Sequence, residues 1–184
     1  MKKKSKCTNI ELKTKEENFV LLSTKNNIYD LYVKEFDDNE VGHANIINKL
    51  KTLNAKDTLN VHISSSGGDS YLLTNYINIL QRTTANVNAF LNYGYSSGAL
   101  LFGACTNRFH YEYSELMYHN YTQSVYGKSQ EIRSCLLNAD KILHKMLQKF
   151  YIGLTKAEFK KLTNGKDFWL NTDDMIKRNI SELV

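Results

Sequence analysis

The sequence has no proline, three cysteines, nine glycines and a single tryptophan in 184 residues. No Pro/Gly linker, internal repeat or low-complexity tract divides the chain, so it reads as one domain. Cys7, Cys105 and Cys135 are odd in number and far apart, which excludes both a disulfide framework and a CxxC metal pair and suits a reduced, cytoplasmic setting. No apolar run approaches the roughly 20 residues that span a bilayer. Met1-Lys2-Lys3-Lys4 is followed by no apolar segment of the kind a secretory leader needs, so membrane insertion and secretion are not expected. The net charge is +5, but no arginine-aromatic motif accompanies it, and solvated lysines rather than a nucleic-acid partner account for it. Hydrophobic residues at 42% and charged residues at 23% match an ordinary globular domain and disfavour disorder, collagen and coiled coil. The lack of proline beside abundant Lys, Asn, Ile and Tyr is the composition of an AT-rich genome such as a phage's.

A lysine-rich arm is expected over residues 1–17 and a single domain over 18–184. Phe19 to Ser23 and Ile28 to Val33 are short apolar stretches with strand character, and Val41, Ala44, Ile47 and Leu50 predict a helix over about 38–53. Leu59, Val61 and Ile63 alternate with Asn60 and His62, a strand that is expected to stop at Ser64-Ser65-Ser66-Gly67-Gly68. Helical spacing follows in Leu72, Leu73, Tyr76, Ile77 and Leu80, with Asp69 or Ser70 as cap. The pattern then repeats: Val87, Ala89, Leu91 and Tyr93 alternate, and Gly94-Tyr95-Ser96-Ser97-Gly98 leads into an apolar helix from Ala99 to Ala104. Two strand-turn-helix units in succession predict an α/β domain with a mostly parallel sheet and its ligand site at the carboxyl ends of the strands. A third strand is expected at Leu116 to Tyr118, a long helix from Ser129 to Tyr151 and a short one from Thr172 to Arg178.

A serine hydroxyl becomes a nucleophile only with a base in reach, a group that orients the base, and donors for the developing oxyanion. Ser96 ends a strand in a Gly-x-Ser-x-Gly context, where a tight turn precedes a helix whose first amides, Ser97 among them, can face a substrate oxygen. His119 closes a short apolar strand, and Asp167 precedes Phe168-Trp169-Leu170. The residues alone leave bland readings open as well: a turn serine, a cap carboxylate, and four further histidines, His43, His62, His110 and His144, with similar claims. Gly67 and Gly68 either make a turn or present an amide to an anionic oxygen. Neither Gly-x-x-x-x-Gly-Lys-Ser/Thr nor Gly-x-Gly-x-x-Gly occurs, which argues against nucleotide binding.

From about Ile28 to Val184 the chain resembles the proteolytic subunit of the ATP-dependent Clp protease. Ser64-Ser65-Ser66-Gly67-Gly68 is similar to that family's Asn-Ser-Pro-Gly-Gly turn, and Tyr95-Ser96-Ser97-Gly98-Ala99 to its Ala-Ser-Met-Gly-Ala nucleophile segment. Met117-Tyr118-His119-Asn120 is similar to Met-Ile-His-Gln, and Asp167-Phe168-Trp169-Leu170 to Asp-Arg-Phe-Leu. The resemblance implies a crotonase-like α/β fold with a protruding helical handle over 121–151, and a serine endopeptidase with Ser96 as nucleophile, His119 as base and Asp167 as orienting carboxylate. It implies the amides of Gly68 and Ser97 as oxyanion hole, and an extended peptide substrate beside Gly67 and residues 121 to 127, Gly127 included. Stacked, heptameric rings, unfolded polypeptide substrates and an AAA+ unfoldase partner that consumes the ATP are implied too, with no cofactor held by this chain. Ser66 in place of the turn proline, Tyr95 and Ser97 around the nucleophile, and an N-terminal arm unlike the family's axial loop are departures.

Other readings compete. A catalytically silent ring subunit predicts a lost triad member, and all three positions are filled. A phage head-maturation protease is a variant of the same chemistry. An α/β-hydrolase esterase would place its acid before its histidine, the reverse of the order here, and a crotonase-type acyl-CoA enzyme would lack the serine-histidine pair.

Overall fold

The computed structural model describes residues 10–13, 17–25, 27–37 and 40–184. Strands β1 (Glu11–Lys13), β2 (Phe19–Lys25) and β3 (Ile28–Phe36) form an antiparallel meander. Helix α1 (Glu40–Leu50) crosses to β4 (Thr58–Gly68), α2 (Ser70–Leu80) to β5 (Asn86–Tyr95), and α3 (Ser97–Ala104) to β6 (Asn107–Tyr118). Strands β3 to β6 are parallel neighbours, as crossovers of this length permit. The chain continues through α4 (Ser129–Phe150), α5 (Lys156–Thr163), β7 (Phe168–Leu170), α6 (Thr172–Lys177) and β8 (Glu182–Leu183). Among the described residues the strands make one sheet in the order β1 to β7, with β7 antiparallel to β6 and β8 paired to β6 in parallel.

Period-two alternation decides which face is buried. Leu31, Val61 and Ala89 lie in register across the parallel strands, as do Val33, Ile63 and Leu91, and all six are buried. Burying a side chain of this size contributes about 1.5–3 kcal/mol, so one slip of register would forfeit the whole row. Asp69 caps α2 through a 2.6 Å bond from the Leu72 amide. Helix α3 is apolar all round and buried along nearly its whole length, so α4 can approach it only where a side chain is missing: a Cβ on Gly103 would stand 1.9 Å from the Phe150 carbonyl oxygen. Only Leu147 and Phe150 of α4 are buried, whereas Leu137 and Ile142 are 71% and 57% exposed.

Several sequence expectations need correction. β4 does not stop at Ile63 but runs through Gly68, because a bulge after Ile63 lets Glu35 and Phe36 pair with Gly67 and Gly68. β6 begins at Asn107, not Leu116. Opposite the step from Leu91 to Tyr93 on β5, it advances from His110 to Glu115, and this excursion exposes Tyr113 and hides the alternation. α5, β7 and β8 are additional elements. Helix α1 starts at Glu40, while residues 38 and 39 of the expected span lie outside the described residues. Of the expected arm, residues 1–9 and 14–16 lie outside them too, and Glu11–Lys13 forms β1.

Candidate active site

At the carboxyl ends of β4, β5 and β6 a cavity of about 390 Å³ opens toward α4, and Ser96, Ser97, Gly68, His119, Leu100 and Tyr151 are among its lining residues. Ser96 occupies the turn between β5 and α3 with φ 54° and ψ −119°, a conformation costly for a residue with a side chain. The turn holds because its neighbours fix it. The Ser96 amide donates to the Met117 carbonyl at 3.1 Å, and the Leu100 amide to the Ser96 carbonyl at 3.1 Å. The result is a sharp strand-to-helix elbow that places Ser96 in the cavity lining.

The sheet register brings the three sequence candidates to one edge. Tyr95 pairs with Met117, which sets Ser96 beside the end of β6. Tyr118 pairs with Phe168 across the antiparallel β6–β7 ladder, so His119 and Asp167 are the residues that flank the last pair of that ladder. Ser96 and His119 share the cavity lining; Asp167 is exposed and outside it. Among the described residues no hydrogen bond joins Ser96 Oγ, the His119 ring and Asp167. His119 is held instead by its main chain: the Tyr151 hydroxyl donates to its carbonyl at 3.2 Å. Tyr151 is 3% exposed and stacks on Tyr118 with centroids 4.3 Å apart, while the Tyr118 hydroxyl donates back to the Ile152 carbonyl at 3.2 Å. Burial raises the Tyr151 phenol pKa, and the charge of Asp167 adds to the rise.

On the other side, Gly68 and Ser97 are joined by a 2.9 Å bond from Ser97 Oγ to the Gly68 carbonyl. Gly67 has φ 113°, and a Cβ there would stand 2.8 Å from Ser96 Cβ, so glycine is what allows β4 to lie against the elbow. Gly67 itself is outside the cavity lining, and its amide donates to Ser65 Oγ at 3.1 Å. Gly127 is exposed, next to the cap of α4, and is also outside the lining. Downstream of His119, Tyr121 lines the cavity and donates to Asp140 of α4 at 2.5 Å, its phenol pushed up to about 12 by burial and then by that bond. Tyr151 and Tyr121 carry no local motif: the resemblance placed them at the ends of the 121–151 handle, and Tyr121 in the 121–127 segment beside the substrate, but gave no sign of their bonds to the His119 carbonyl and Asp140.

A larger cavity, about 740 Å³, lies between α1 and α2. It has the volume but not the chemistry of a hydrolytic site. His43 at its edge already bonds the Tyr76 hydroxyl and Asp37, each at 2.8 Å. His62, His110 and His144 likewise have ring partners in Asp30, Ser181 and Asn120. His119 is the histidine beside Ser96 whose ring makes no hydrogen bond among the described residues.

A family model described as Clp protease matches residues 14–180. The chain belongs to the Clp protease family. No curated protein matches it. Membership of the Clp protease family supports a peptidase, and the α/β sheet with its crossing helices fits that family's fold. Clp proteases generally assemble as oligomeric rings. Among the described residues no helix is long and apolar enough to cross a membrane.

Proposed function

We propose that this Clp protease family member is a serine endopeptidase that cleaves unfolded polypeptides by an acyl-enzyme route inside an oligomeric chamber. The observation that carries the reading is that Ser96, on a strained elbow, and His119, with a free ring, line one cavity. In this scheme Ser96 Oγ attacks the scissile carbonyl carbon as a ring nitrogen of His119 takes its proton. The carbonyl oxygen becomes an oxyanion facing the amides of Gly68 and Ser97. Collapse breaks the C–N bond, the amine departs with the proton returned from His119, and an ester remains on Ser96. Water, deprotonated by His119, attacks that ester, releases the carboxylate product and restores the Ser96 hydroxyl. Asp167 orients the imidazole and stabilises its cation.

The scheme requires the relay to close from the resting arrangement, in which its bonds are unmade, and hydrogen bonds of this kind tighten on substrate binding. The peptide would run extended beside Gly67 and the 121–127 segment, Gly127 included, through main-chain bonds. Helix α4, largely unburied on a single chain, would be the handle through which stacked rings meet. The chain itself needs no cofactor for these steps; ATP would be hydrolysed by an AAA+ unfoldase partner.

The deciding experiment is fluorophosphonate labelling of the assembled protein. Wild type is expected to label, and Ser96→Ala and His119→Ala to lose the label. Label that survives in Ser96→Ala would show that another serine is the nucleophile. A wild type that never labels, alone or with substrate peptide, would leave a silent ring subunit.

A further inference from the structure

The bulge in β4 is tied down serine by serine. Ser64 Oγ accepts from the Asn92 side-chain amide at 2.9 Å, Ser65 Oγ accepts from the Gly67 amide at 3.1 Å, and Ser66 turns the other way. Its hydroxyl and its backbone amide both donate to Oε1 of Glu35, at 2.5 and 3.2 Å. Glu35 is the residue of β3 that pairs with Gly67, and Phe36 beside it pairs with Gly68. The register shifts here: Val33 pairs with Ile63 but Glu35 with Gly67, so the surplus residues of β4 leave the ladder with β3, while Ser64 and Ser65 stay paired with β5, and Ser66 N–H donates to a carboxylate. In a chain without proline, no ring stiffens this segment. Two hydrogen bonds to one charged oxygen, the stronger class of such bonds, fix it instead.

We propose that Glu35 is a positioning residue: its two bonds from Ser66 lock the bulge of β4 so that the Gly68 amide faces the oxyanion. The proposal rests on the reading of Ser96 as nucleophile with Gly68 and Ser97 as oxyanion donors. Rotation at Ser66 passes directly into Gly67 and Gly68, both at positive φ (113° and 123°), and Gly67 touches the Ser96 elbow, so slack at Ser66 reaches both halves of the site. Ser66 N–H is outside the β-ladder, so a proline there would remove one arm of the clamp and put a covalent restraint in its place.

The test is a rescue. Glu35→Ala is expected to lower kcat for peptide hydrolysis and the fluorophosphonate labelling rate about tenfold with KM within about twofold, a partial version of losing one oxyanion donor. Glu35→Gln keeps an acceptor oxygen and is expected to stay within about threefold of wild type. Adding Ser66→Pro to Glu35→Ala should recover most of the lost rate, because the ring supplies the stiffness without the carboxylate. A general loss of folding would lower the melting temperature of Glu35→Ala and would not be repaired in rate by the proline. Wild-type rates in Glu35→Ala, or a double variant as slow as the single one, would overturn the clamp. Either result with labelling still abolished by Ser96→Ala leaves the peptidase reading standing, whereas label that persists in Ser96→Ala removes that reading itself.

Discussion

The two walls of the Ser96 cavity are built differently. On the β4–α3 wall, glycine lies against backbone. A Cβ on Gly67 would be 2.8 Å from Ser96 Cβ, one on Gly98 would be 2.8 Å from Ser65 Cβ, and Ser97 Oγ bonds the Gly68 carbonyl. On the β6–α4 wall, the contacts are long side chains reaching across gaps: Tyr151 to the His119 carbonyl, Tyr121 to Asp140, and His144 to Asn120 at 3.2 Å. The first wall is packed backbone to backbone and leaves little room to move while the Glu35 bonds hold Ser66. The second is joined by side-chain hydrogen bonds, which rotamer changes can make or break. Under the proposed mechanism, the contrast would put the oxyanion donors, which act best when fixed beforehand, on the tightly packed wall, and the base and its carboxylate where the relay has still to close.

The largest effect expected from this contrast is on the rigid wall. Gly68 has φ 123°, and a Cβ would stand 2.3 Å from the Phe36 carbonyl oxygen, so Gly68→Ala must both strain and displace backbone. It is expected to destabilise the fold by about 2–4 kcal/mol and to lower kcat about 100-fold. Denaturant unfolding and peptide hydrolysis measure the two. Gly165→Ala is the control, because it shares a positive φ of 93° but has nothing within 4 Å; it should cost about 1 kcal/mol and leave the rate near wild type. Equal costs at the two positions would mean the wall is softer than its contacts imply.

The same contrast explains what the sequence disclosed. Alternation at Leu59, Val61 and Ile63 and at Val87, Ala89 and Leu91 exposed the central parallel strands because one face of each is fully buried. Ser96 and Gly68 were legible because backbone geometry restricts residue type there: a sharp elbow and two positive-φ glycines leave a written trace. β6 was only partly legible. Its bulge at Tyr111 to Ser114, closed by the Ser114 hydroxyl on the Leu91 carbonyl, breaks the period from which a strand is read. The hydrogen bonds of Glu35, Tyr121 and Tyr151 left no trace, since a bond to a partner distant in the chain imposes no local spacing. Two of those three act on the β6–α4 wall, where side chains rather than backbone carry the contacts.

A smaller effect is expected at Tyr151. Tyr151→Phe keeps the stack on Tyr118 and removes only the hydroxyl on the His119 carbonyl. Because burial and the charge of Asp167 keep that phenol protonated, it remains a donor throughout the working pH range. Loss of one such bond should cost about 1 kcal/mol of stability, and slack in the base should lower kcat about fivefold while KM holds. A steady-state comparison of kcat and KM checks this. Unchanged kcat with lowered stability would make Tyr151 a brace for the fold rather than for the base.

The smallest effect concerns the segment that carries Asp167 and β7, which lies between α5 and α6. Glu158 of α5 binds Arg178 at the end of α6 through two bonds, 2.9 and 3.1 Å, and Arg178 also donates to the Gly153 carbonyl at 3.0 Å. The Arg178 guanidinium first, and the Thr155 amide second, hold the Glu158 carboxyl down at about 2 against an ordinary 4.5. A carboxylate with a depressed folded-state pKa contributes its stability in full above the unfolded value and loses it as the pH falls through the folded value. The pair should therefore support the fold fully above pH 4.5 and fade toward pH 2. Both side chains keep about a quarter of their surface in water, 25% for Arg178 and 21% for Glu158, so screening holds the contribution to roughly 1 kcal/mol. Glu158→Gln should lower the melting temperature at pH 6 and converge with wild type near pH 2. A difference that persists undiminished in acid would show that the charge of Glu158 is not its source, since the Thr155 bond, which a glutamine oxygen can also accept, is common to both proteins.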